Sequence, residues 1–551
     1  MRKFSASKPV AYFSAEFAID NSLPIYAGGL GVLAGDILKE SADLGIHMVG
    51  VGLLYKGEEA RQEITPEGQQ KESNIDYVPE EKGLELMLDE HGQPLYVKVH
   101  LTQVDVWIQI WRKKIGKTVD LYLLDPDNPQ NHSHERRQAW AIYAGTQEEI
   151  IKQQLILGIG GVKALYALGI TPELYHVNEG RPSFLHWQLI RQAMDLHGQK
   201  FDAAQELATA QTVYTNHTVV KAGNQTYDLD LMKAYTKYYS EKMGIKVEKL
   251  LQPGIDENGR FDVSLFALNT SRKASSVSKP HLNVCKKNWP KFKWVNVTNG
   301  VHFPTWRDER MANKDLSDEE LWQIHLDNKR KTRKLIYERT GFTYDENALV
   351  LTWARRFAAY KQPDLIFRNI EDLRQLLLST NRPVQLLMAG KAHVFDHGAK
   401  QIIRQLITYM GQELRFHALF VPNYDMEMGA ALTRGSDVWL NTPRVGEEAS
   451  GTSGMKAIAN GVLQLTTVDG WTAEVDWSRH KAGWALDYPD TAASFFRLMD
   501  GQVLPTFYQR DEQGLPRKWI EMMRQALKLA PNYSATRMMR DYGKNLYTPT
   551  K

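Results

Sequence analysis

Residues 448–456 carry the chain's most chemically suggestive pattern, a run of small and hydroxylated residues between a glutamate and a lysine. An apolar stretch, residues 438–440, precedes the run, and an alanine-rich stretch of helical character follows it. Backbone N–H groups of a Gly/Ser/Thr loop that opens a helix bind anions well. Thr452 and Lys456 are four residues apart, so they share a helix face if the helix begins that early. The pattern could hold a phosphorylated aldehyde by its phosphate while the lysine amine bonds the aldehyde.

Most lysines are solvated surface groups, and most Gly/Ser/Thr runs are plain loops. A second basic segment adds weight to the functional interpretation. Arg356 and Lys361 follow residues 348–353, which have the composition of a buried strand. Fixed cations at the carboxyl end of a strand can grip a phosphate group, with the arginine fork supplying orientation and the lysine a compact charge. Two solvated cations are the alternative.

A glycine-rich turn precedes the helical stretch 32–44. Its residues Gly28-Gly29-Leu30-Gly31 let a ligand approach the backbone closely, and a helix N-terminus favours anions. A simple helix-opening turn explains the same residues equally well.

Composition excludes several classes of protein. The 551 residues are 43% hydrophobic and 24% charged, and 68 basic residues against 65 acidic ones give a net charge of +3, which is too balanced for a nucleic-acid binder. With Cys285 as the one cysteine, no disulfide framework exists. The first residues lack the apolar core of a signal peptide, and no run of about 18 apolar residues occurs, so we expect a cytoplasmic protein without a membrane span. His132 and His134 lie in a polar stretch, and we expect no metal site.

Alternation of short apolar runs with helical patterns predicts an α/β fold with parallel sheets covered on both faces. We expect two doubly wound domains, residues 1–310 and 311–551, that face each other across a cleft. The tail at about 520–547 is amphipathic and could pack back on the first domain, and we expect residues 57–81 to form an exposed loop or an excursion from the fold. The predicted helices are 136–157 and 184–196, and the predicted strands are 10–13, 48–54, 121–124, 174–177, 212–215, 348–353, 384–389, 418–421, 438–440 and 462–467.

With these patterns in view, the chain resembles the α-glucan phosphorylases, pyridoxal-phosphate-dependent glycosyltransferases with two Rossmann-like domains in the GT-B arrangement. The resemblance covers nearly the whole chain, is closest to the shorter bacterial and archaeal branch, and rests on motifs that occur in the family's order. They are residues 12–17, 28–31, 157–161, 176–180, 215–218, 298–302, 354–361, 390–393, 437–444, 448–456 and 533–537.

The resemblance implies a role for each matching residue. Lys456 would form a Schiff base with pyridoxal 5′-phosphate, Thr452 and Ser453 would hold the cofactor phosphate, and Tyr424 and Arg355 would line the cofactor site. Arg356, Lys361 and the turn Gly28-Gly29 would bind the substrate phosphate. The residues expected at the sugar are Glu448, Ser450, Gly451, His217, Asn299, Tyr360 and Glu179, and the backbone carbonyl of His217 would also stabilise the transition state.

Three positions depart from the family pattern. Arg181 stands where the branch usually has a histidine near the acceptor path. Ala18 stands where related enzymes often place an aromatic residue near the cofactor ring. Gln362 replaces a second basic residue beside Lys361.

The resemblance implies reversible, configuration-retaining phosphorolysis of terminal α-1,4-glucosidic bonds in glycogen, starch or maltodextrin, yielding glucose 1-phosphate. The protein could form a homo-oligomer. A nucleotide-sugar-dependent glucosyltransferase of the starch-synthase type shares the architecture and an Arg/Lys pair, but it has no need for Lys456. A non-catalytic glucan-binding homologue would be expected to lose Lys456, Arg356 or Lys361, and all three are present.

Overall fold

Two large β-sheets organise the chain. The computed structural model describes residues 4–58, 60–143, 145–219 and 224–549. The first sheet has the order β14-β13-β10-β9-β1-β2-β8-β7-β5, with β6 paired to β7, and it is parallel from β14 to β8 and antiparallel beyond. Its strands are β1 (Val10–Ser14), β2 (Met48–Leu53), β5 (Glu85–Leu86), β6 (Tyr96–Leu101), β7 (Val104–Ile115), β8 (Val119–Asp125), β9 (Leu174–Asn178), β10 (Thr212–Thr215), β13 (Lys273–Ser276) and β14 (Trp294–Asn296).

The second sheet is parallel throughout, in the order β17-β16-β15-β18-β19-β20. Two short antiparallel pairs, β3 with β4 and β11 with β12, lie outside both sheets. The strands of the second sheet and of these pairs are β3 (Arg61–Ile64), β4 (Gln70–Ser73), β11 (Thr226–Tyr227), β12 (Phe261–Asp262), β15 (Leu349–Ala354), β16 (Val384–Ala389), β17 (Ala418–Val421), β18 (Val438–Asn441), β19 (Leu463–Thr466) and β20 (Gly483–Ala485).

Helices connect the parallel strands, as such sheets require. Within the described ranges, none is long and apolar enough to cross a bilayer. The α-helices are α1 (Gly29–Asp43), α2 (Ser133–Arg136), α3 (Gln147–Leu155), α4 (Gly161–Ala167), α5 (Leu185–His197), α6 (Phe201–Gln211), α7 (Leu229–Met243), α8 (Val247–Leu251), α9 (Val263–Asn269), α10 (Lys279–Asn288), α11 (Phe303–Trp306), α12 (Asp318–Thr340), α13 (Ile370–Leu377), α14 (His397–Gly411), α15 (Met426–Gly435), α16 (Ser453–Ile458), α17 (Trp477–His480), α18 (Thr491–Leu498), α19 (Leu504–Tyr508), α20 (Arg517–Leu529) and α21 (Ala535–Asp541).

The mixed α/β class with parallel sheets is confirmed, and each predicted strand is present within a few residues. The central strands β1, β2, β9, β15 and β16 are buried along their whole length, because helices cover both faces of these sheets. Separate buried clusters of apolar side chains surround the two sheets.

The predicted continuous helix 136–157 is wrong. The 3₁₀ turn Arg137–Ala139 follows α2, and Gly145, just before α3, has φ of 106°, outside the helical region. Thr146 then caps α3 by accepting from the amide of Glu149, while the Glu149 carboxylate accepts from the amide of Thr146. This capping box marks a helix start that sequence reasoning overlooked.

The segment 57–81, predicted to be an exposed loop or excursion, is neither fully exposed nor without regular structure. Residues 61–73 form the hairpin β3–β4, and the side chains of Gln62 and Gln70 are buried. Farther along the chain, α21 and the π-helical turn Tyr542–Leu546 pack against the core of the first sheet, with Met538, Tyr542 and Tyr547 buried there.

Candidate active site

Helix α16 carries Lys456 into the protein interior. The helix begins after Thr452, and the amide of Lys456 donates to the carbonyl oxygen of Thr452 at 3.3 Å. The two residues therefore lie one helical turn apart, as their spacing suggests. Lys456 is 7% exposed, and burial lowers the pKa of its amine from 10.5 to about 8. A far larger share of this amine is uncharged near neutral pH than of an ordinary lysine, which favours attack on an aldehyde.

Trp306 and Asp36 lie around this amine. The amine nitrogen of Lys456 lies over the Trp306 ring, 3.5 Å from its centroid. The indole N–H of Trp306 donates to the carboxylate oxygens of Asp36, at 2.9 and 3.0 Å, and the amide of His302 donates to Asp36 at 3.1 Å. Burial raises the pKa of the Asp36 carboxyl, and the charge of Lys456 partly opposes this effect.

Sequence reasoning missed both Asp36 and Trp306. The signal for Asp36 was a single acid inside the otherwise apolar segment 32–38 of α1. The signal for Trp306 was weaker, because a tryptophan after a turn is most often a core residue. Both residues belong to elements that precede the second sheet in the chain, so only the fold brings them to Lys456.

The strand order of the second sheet reverses between β15 and β18, and in such sheets ligands bind at the carboxyl ends of those strands. Arg355 follows β15 directly, and Asn441 ends β18. The Arg355 guanidinium donates to the side-chain oxygen of Asn441 and, through Nη2 at 3.2 Å, to the hydroxyl of Ser453. This buried cation therefore spans the crevice between the two strands and the start of α16.

Glu448 lies between two of the predicted cations. Its carboxylate accepts from the amine of Lys361, and its Oε2 lies 3.3 Å from Nη1 of Arg355. Burial alone would raise the pKa of Glu448, but the charges of Lys361, Arg355 and Arg356 outweigh burial and hold that pKa below its ordinary value. The carboxylate is the counter-ion of the cation cluster in this structure. An incoming anion would have to compete with it.

Arg356 differs from its neighbour Arg355, because its side chain is exposed. Its positive charge nevertheless helps to lower the pKa of the Glu448 carboxyl. For His393, burial is the largest cause of a lowered pKa, and the charge of Arg356 adds to it. Arg356 is therefore close enough for its charge to act on the buried cluster, and it remains open to an anion from solvent.

The hydroxyl of Ser450 and the side-chain oxygen of Asn299 are among the buried polar atoms that have no hydrogen-bond partner within the described ranges. The backbone of Asn299 is fixed, since its amide donates to Val277 at 3.1 Å and its carbonyl accepts from Arg537 at 2.7 Å. Unsatisfied buried groups at fixed positions are what a polyhydroxylated ligand would satisfy.

Gly451 has φ of 80°, in the left-handed region that favours glycine. A Cβ at this position would lie 3.4 Å from the carboxyl carbon of Glu448. The carbonyl of the neighbouring Ala449 accepts from the hydroxyl of Ser278 at 2.6 Å. This contact ties the loop of the second sheet to the segment that follows β13 of the first.

His217 follows β10 and is held from two sides. Its ring Nε2 lies 2.7 Å from the side-chain oxygen of Asn178, and its amide donates to Glu179 at 2.9 Å. Burial, aided by the charge of His281, lowers the pKa of His217 to about 3, so the ring is neutral at physiological pH. Glu179 also accepts from the hydroxyl of Tyr214 at 3.2 Å. In this arrangement Glu179 fixes the backbone of His217.

The glycine turn is held by Glu16, a residue after β1. Its Oε2 accepts from the amides of Ala27 and Gly28 at 2.7 and 2.9 Å, and its Oε1 accepts from the hydroxyl of Tyr143 at 2.7 Å. A Cβ built on Gly28 or Gly29 would meet no atom of the described residues within 4 Å. The turn therefore faces open space, and Glu16 already uses the amide of Gly28.

The two predicted tyrosines lie beside the predicted cations. The amine of Lys361 is 4.5 Å from the centroid of the Tyr360 ring, and the Tyr360 carbonyl accepts from the amide of Arg444 at 2.7 Å. Burial raises the pKa of Tyr424, while the charge of Arg355 partly opposes this effect.

The three departures from the family pattern have distinct surroundings. The guanidinium of Arg181 lies 4.2 Å from the centroid of the Tyr143 ring, the same residue that donates to Glu16. Ala18 is fully buried in the core of the second sheet. Gln362 adopts a left-handed conformation with φ of 48°, and its carbonyl accepts from Thr442 at 3.2 Å.

Hydrogen bonds join Arg355, Lys361, Glu448 and Ser453 in one set of predicted residues and Glu179 with His217 in another. Among the described residues, no hydrogen bond runs directly from one set to the other. The set that contains Arg355 and Glu448 lies at the second sheet, and the pair Glu179 and His217 lies at the first sheet.

Comparisons with known proteins agree with this architecture. A family model described as carbohydrate phosphorylase matches residues 305–480. The chain is 35% identical to the maltodextrin phosphorylase of Thermococcus litoralis, in an alignment that covers 98% of this chain and 70% of the relative. It is 34% identical to the glycogen phosphorylase of Aquifex aeolicus, covering 98% and 86% of the two chains. An uncharacterised protein of Methanocaldococcus jannaschii is 30% identical over 98% of this chain and all of its own length.

The protein belongs to the carbohydrate phosphorylase family, whose bacterial and archaeal members it resembles along almost its whole length.

Proposed function

We propose that the protein is an α-1,4-glucan phosphorylase. It would transfer the terminal glucosyl unit of an α-1,4-glucan to inorganic phosphate, reversibly and with retention of configuration. The observation that carries this proposal is the buried Lys456, with its lowered pKa, on a helix whose first residue Ser453 bonds the buried cation Arg355. The names of the relatives, maltodextrin and glycogen phosphorylase, support the same substrate class.

Within this proposal the chain forms two Rossmann-like domains, residues 1–310 and 311–551, in the GT-B arrangement. The order β17-β16-β15-β18-β19-β20 corresponds to the 3-2-1-4-5-6 order of doubly wound sheets, and the parallel strands of the first sheet follow the same scheme around β1. The carboxyl ends of both sheets then border one cleft.

The residues around Lys456 fit pyridoxal 5′-phosphate. The lysine amine is buried and weakly basic, and Trp306 offers an aromatic wall beside it. The Nε of Arg355 is buried and has no hydrogen-bond partner among the described residues, so a phosphate oxygen would satisfy it. Ser453 and Thr452 would complete the phosphate site, and Tyr424 would line it. When bound, the cofactor supplies a phosphate group that exchanges a proton with the substrate phosphate.

Arg356 and Lys361 would bind the substrate phosphate, together with the turn Gly28-Gly29, in which Glu16 occupies the amide of Gly28 and leaves that of Gly29 for the anion. Arg356 is exposed and can meet the anion first. Lys361 must exchange its bond to Glu448 for one to the anion. This exchange frees the Glu448 carboxylate to accept hydrogen bonds from a sugar, so phosphate and sugar would assemble the site together.

The glucosyl unit would be held by Glu448, Ser450, Gly451, Asn299 and Tyr360. The unpartnered atoms of Ser450 and Asn299 would bond sugar hydroxyls. Glu179 would contribute chiefly by holding the backbone of His217, whose carbonyl would face positive charge developing at the anomeric carbon.

In the reaction, the substrate phosphate gives a proton to the glycosidic oxygen as the bond to the anomeric carbon breaks. A phosphate oxygen then bonds the anomeric carbon from the same face. The products are α-glucose 1-phosphate and a glucan that is one unit shorter. The protein contributes to catalysis by positioning the charged groups and by excluding water.

The deciding experiment incubates the purified protein with maltodextrin and inorganic phosphate and assays glucose 1-phosphate. We expect phosphate-dependent turnover in the parent and none in Lys456→Ala. Turnover with a nucleotide sugar instead of phosphate would indicate a synthase-type transferase, and glucan binding without turnover would indicate a binding protein. Either result would overturn the proposal.

A further inference from the structure

The hairpin β3–β4 (residues 61–73) reaches from the first sheet's half of the chain to the second sheet. Two buried glutamines form its contact surface, Gln62 at 3% and Gln70 at 7% exposure. Their side chains bond each other, with Nε2 of Gln62 donating to Oε1 of Gln70 at 2.8 Å. A pair of buried amides needs defined partners, because an unsatisfied buried amide is strongly unfavourable.

Those partners are backbone groups at the carboxyl edge of the second sheet. Gln62 donates to the carbonyl of Gly390 at 2.9 Å and accepts from the amide of Asn423 at 2.8 Å. Gln70 donates to the carbonyl of Ala392 and accepts from the amide of the same residue, both at 3.0 Å. The hairpin is thereby hydrogen-bonded to the segments that follow β16 and β17.

The segment after β16, residues 389–392, is in turn hydrogen-bonded to the segment after β15, which carries Arg355 and Arg356. The amide of Arg355 donates to Ala389 at 3.1 Å, and the amide of Phe357 donates to Lys391 at 2.9 Å. The contact at Gly390 is so close that a Cβ there would lie 1.9 Å from the carbonyl oxygen of Arg355. The backbone on both sides of Arg356 is therefore held by a segment that the hairpin itself holds.

We propose that Gln62 and Gln70 are positioning residues for the substrate phosphate. They fix residues 390–392, which in turn fix Arg355 and Arg356. The proposal rests on the proposed function and names two residues that touch no substrate. Neutral amides suit this task, since each side chain both donates to and accepts from backbone groups of the second sheet's half.

The test compares Gln62→Met and Gln70→Met with the parent holoenzyme. Methionine keeps the length and volume of glutamine but leaves backbone groups unpaired, those of Gly390 and Asn423 in Gln62→Met and those of Ala392 in Gln70→Met. We expect the KM for phosphate to rise about tenfold, as loss of one or two hydrogen bonds implies. The KM for maltodextrin and the cofactor content should stay within twofold of the parent. Isothermal titration with inorganic phosphate alone should show the same loss of affinity.

Two control variants separate positioning from general weakening. Lys71→Gln changes an exposed residue of the same hairpin. Asn21→Ala removes another contact with the second sheet's half, in which the Asn21 side chain accepts from the amide of Met426 at 3.0 Å. Both should leave the KM for phosphate unchanged. If the methionine variants fail to fold, Gln70→Asn keeps a neutral amide but is one methylene too short to reach both groups of Ala392, and the same rise in the KM for phosphate is expected.

The outcomes distinguish the two proposals. A parent without phosphate-dependent turnover refutes the proposed function. An active parent whose glutamine variants keep the KM for phosphate refutes the positioning role. An equal rise in both KM values, or the same effect in Asn21→Ala, would show a purely structural hairpin and would also refute it.

Discussion

The amine of Lys456 lies over the indole face of Trp306, 3.5 Å from the ring centroid, and the same indole donates its N–H to Asp36. The aromatic face attracts the cationic form of the amine, while burial disfavours it. Burial lowers the pKa of Lys456 to about 8. The charge of Asp36 partly opposes the decrease in the pKa of Lys456, and its hydrogen bond holds the Trp306 ring in place.

Lys456→Ala should abolish covalent attachment of pyridoxal phosphate. The parent should be yellow with near-ultraviolet absorbance, and the variant colourless after dialysis. Borohydride reduction of the parent followed by peptide mapping should place the label at Lys456. Lys391 is an internal control, because burial lowers its pKa to about 8 as well. A label at Lys391 would contradict the assignment.

Asp36→Asn should shift the pH dependence of cofactor recombination. In the parent, the rate at which the cofactor-free apoprotein binds pyridoxal phosphate should rise with pH. It should level off above about pH 8, where most of the Lys456 amine is neutral. The Asp36 carboxylate raises the pKa of Lys456, so its removal should move the half-rise to lower pH. Asp43→Asn, at the exposed end of the same helix, should leave the curve unchanged. A shift to higher pH would contradict the assigned charge relationship.

Arg356→Ala should weaken the use of phosphate far more than the use of glucan. A hydrogen bond between charged groups contributes roughly 1.5–3 kcal/mol, so the KM for phosphate should rise at least about tenfold. The side chain is exposed, so the melting temperature should hardly change. Saturation curves for phosphate that coincide in parent and variant would remove Arg356 from the site.

Glu448→Gln should reduce turnover and leave the cofactor bound. In phosphate-free buffer, it should also lower the free energy of unfolding by about 3 kcal/mol, because Lys361 and Arg355 lose their buried counter-ion. Added phosphate should restore more stability to the variant than it adds to the parent, since the anion replaces the carboxylate. Urea denaturation with and without phosphate measures both effects.

Glu447→Gln is the matched control for that experiment. Glu447 pairs with Arg444 in a partly exposed contact, and such pairs contribute little to stability. This variant should behave as the parent in both buffers. Equal phosphate effects in Glu448→Gln and the parent would mean that phosphate does not enter the cation cluster.

Local patterns predicted much of the fold. Strands such as β1, β9 and β16 are mostly apolar, as burial on both faces favours, although β9 also contains His176 and β16 contains Gln385. The helix 136–157 was mispredicted because the capping box at Thr146, which starts α3, was overlooked. The hairpin β3–β4 was missed because its glutamines look like loop residues until a partner surface buries them.

The sequence by itself determined the α/β class, the succession of motifs and the spacing that places Lys456 one turn after Thr452, because these depend on neighbouring residues. Only the tertiary structure decided that Asp36 and Trp306 surround this lysine, that Glu448 neutralises Lys361 and Arg355, and that Gln62 reaches Gly390. These contacts join residues that lie far apart in the chain. They form only when parallel strands bring their carboxyl ends to one edge, and no local pattern encodes that geometry.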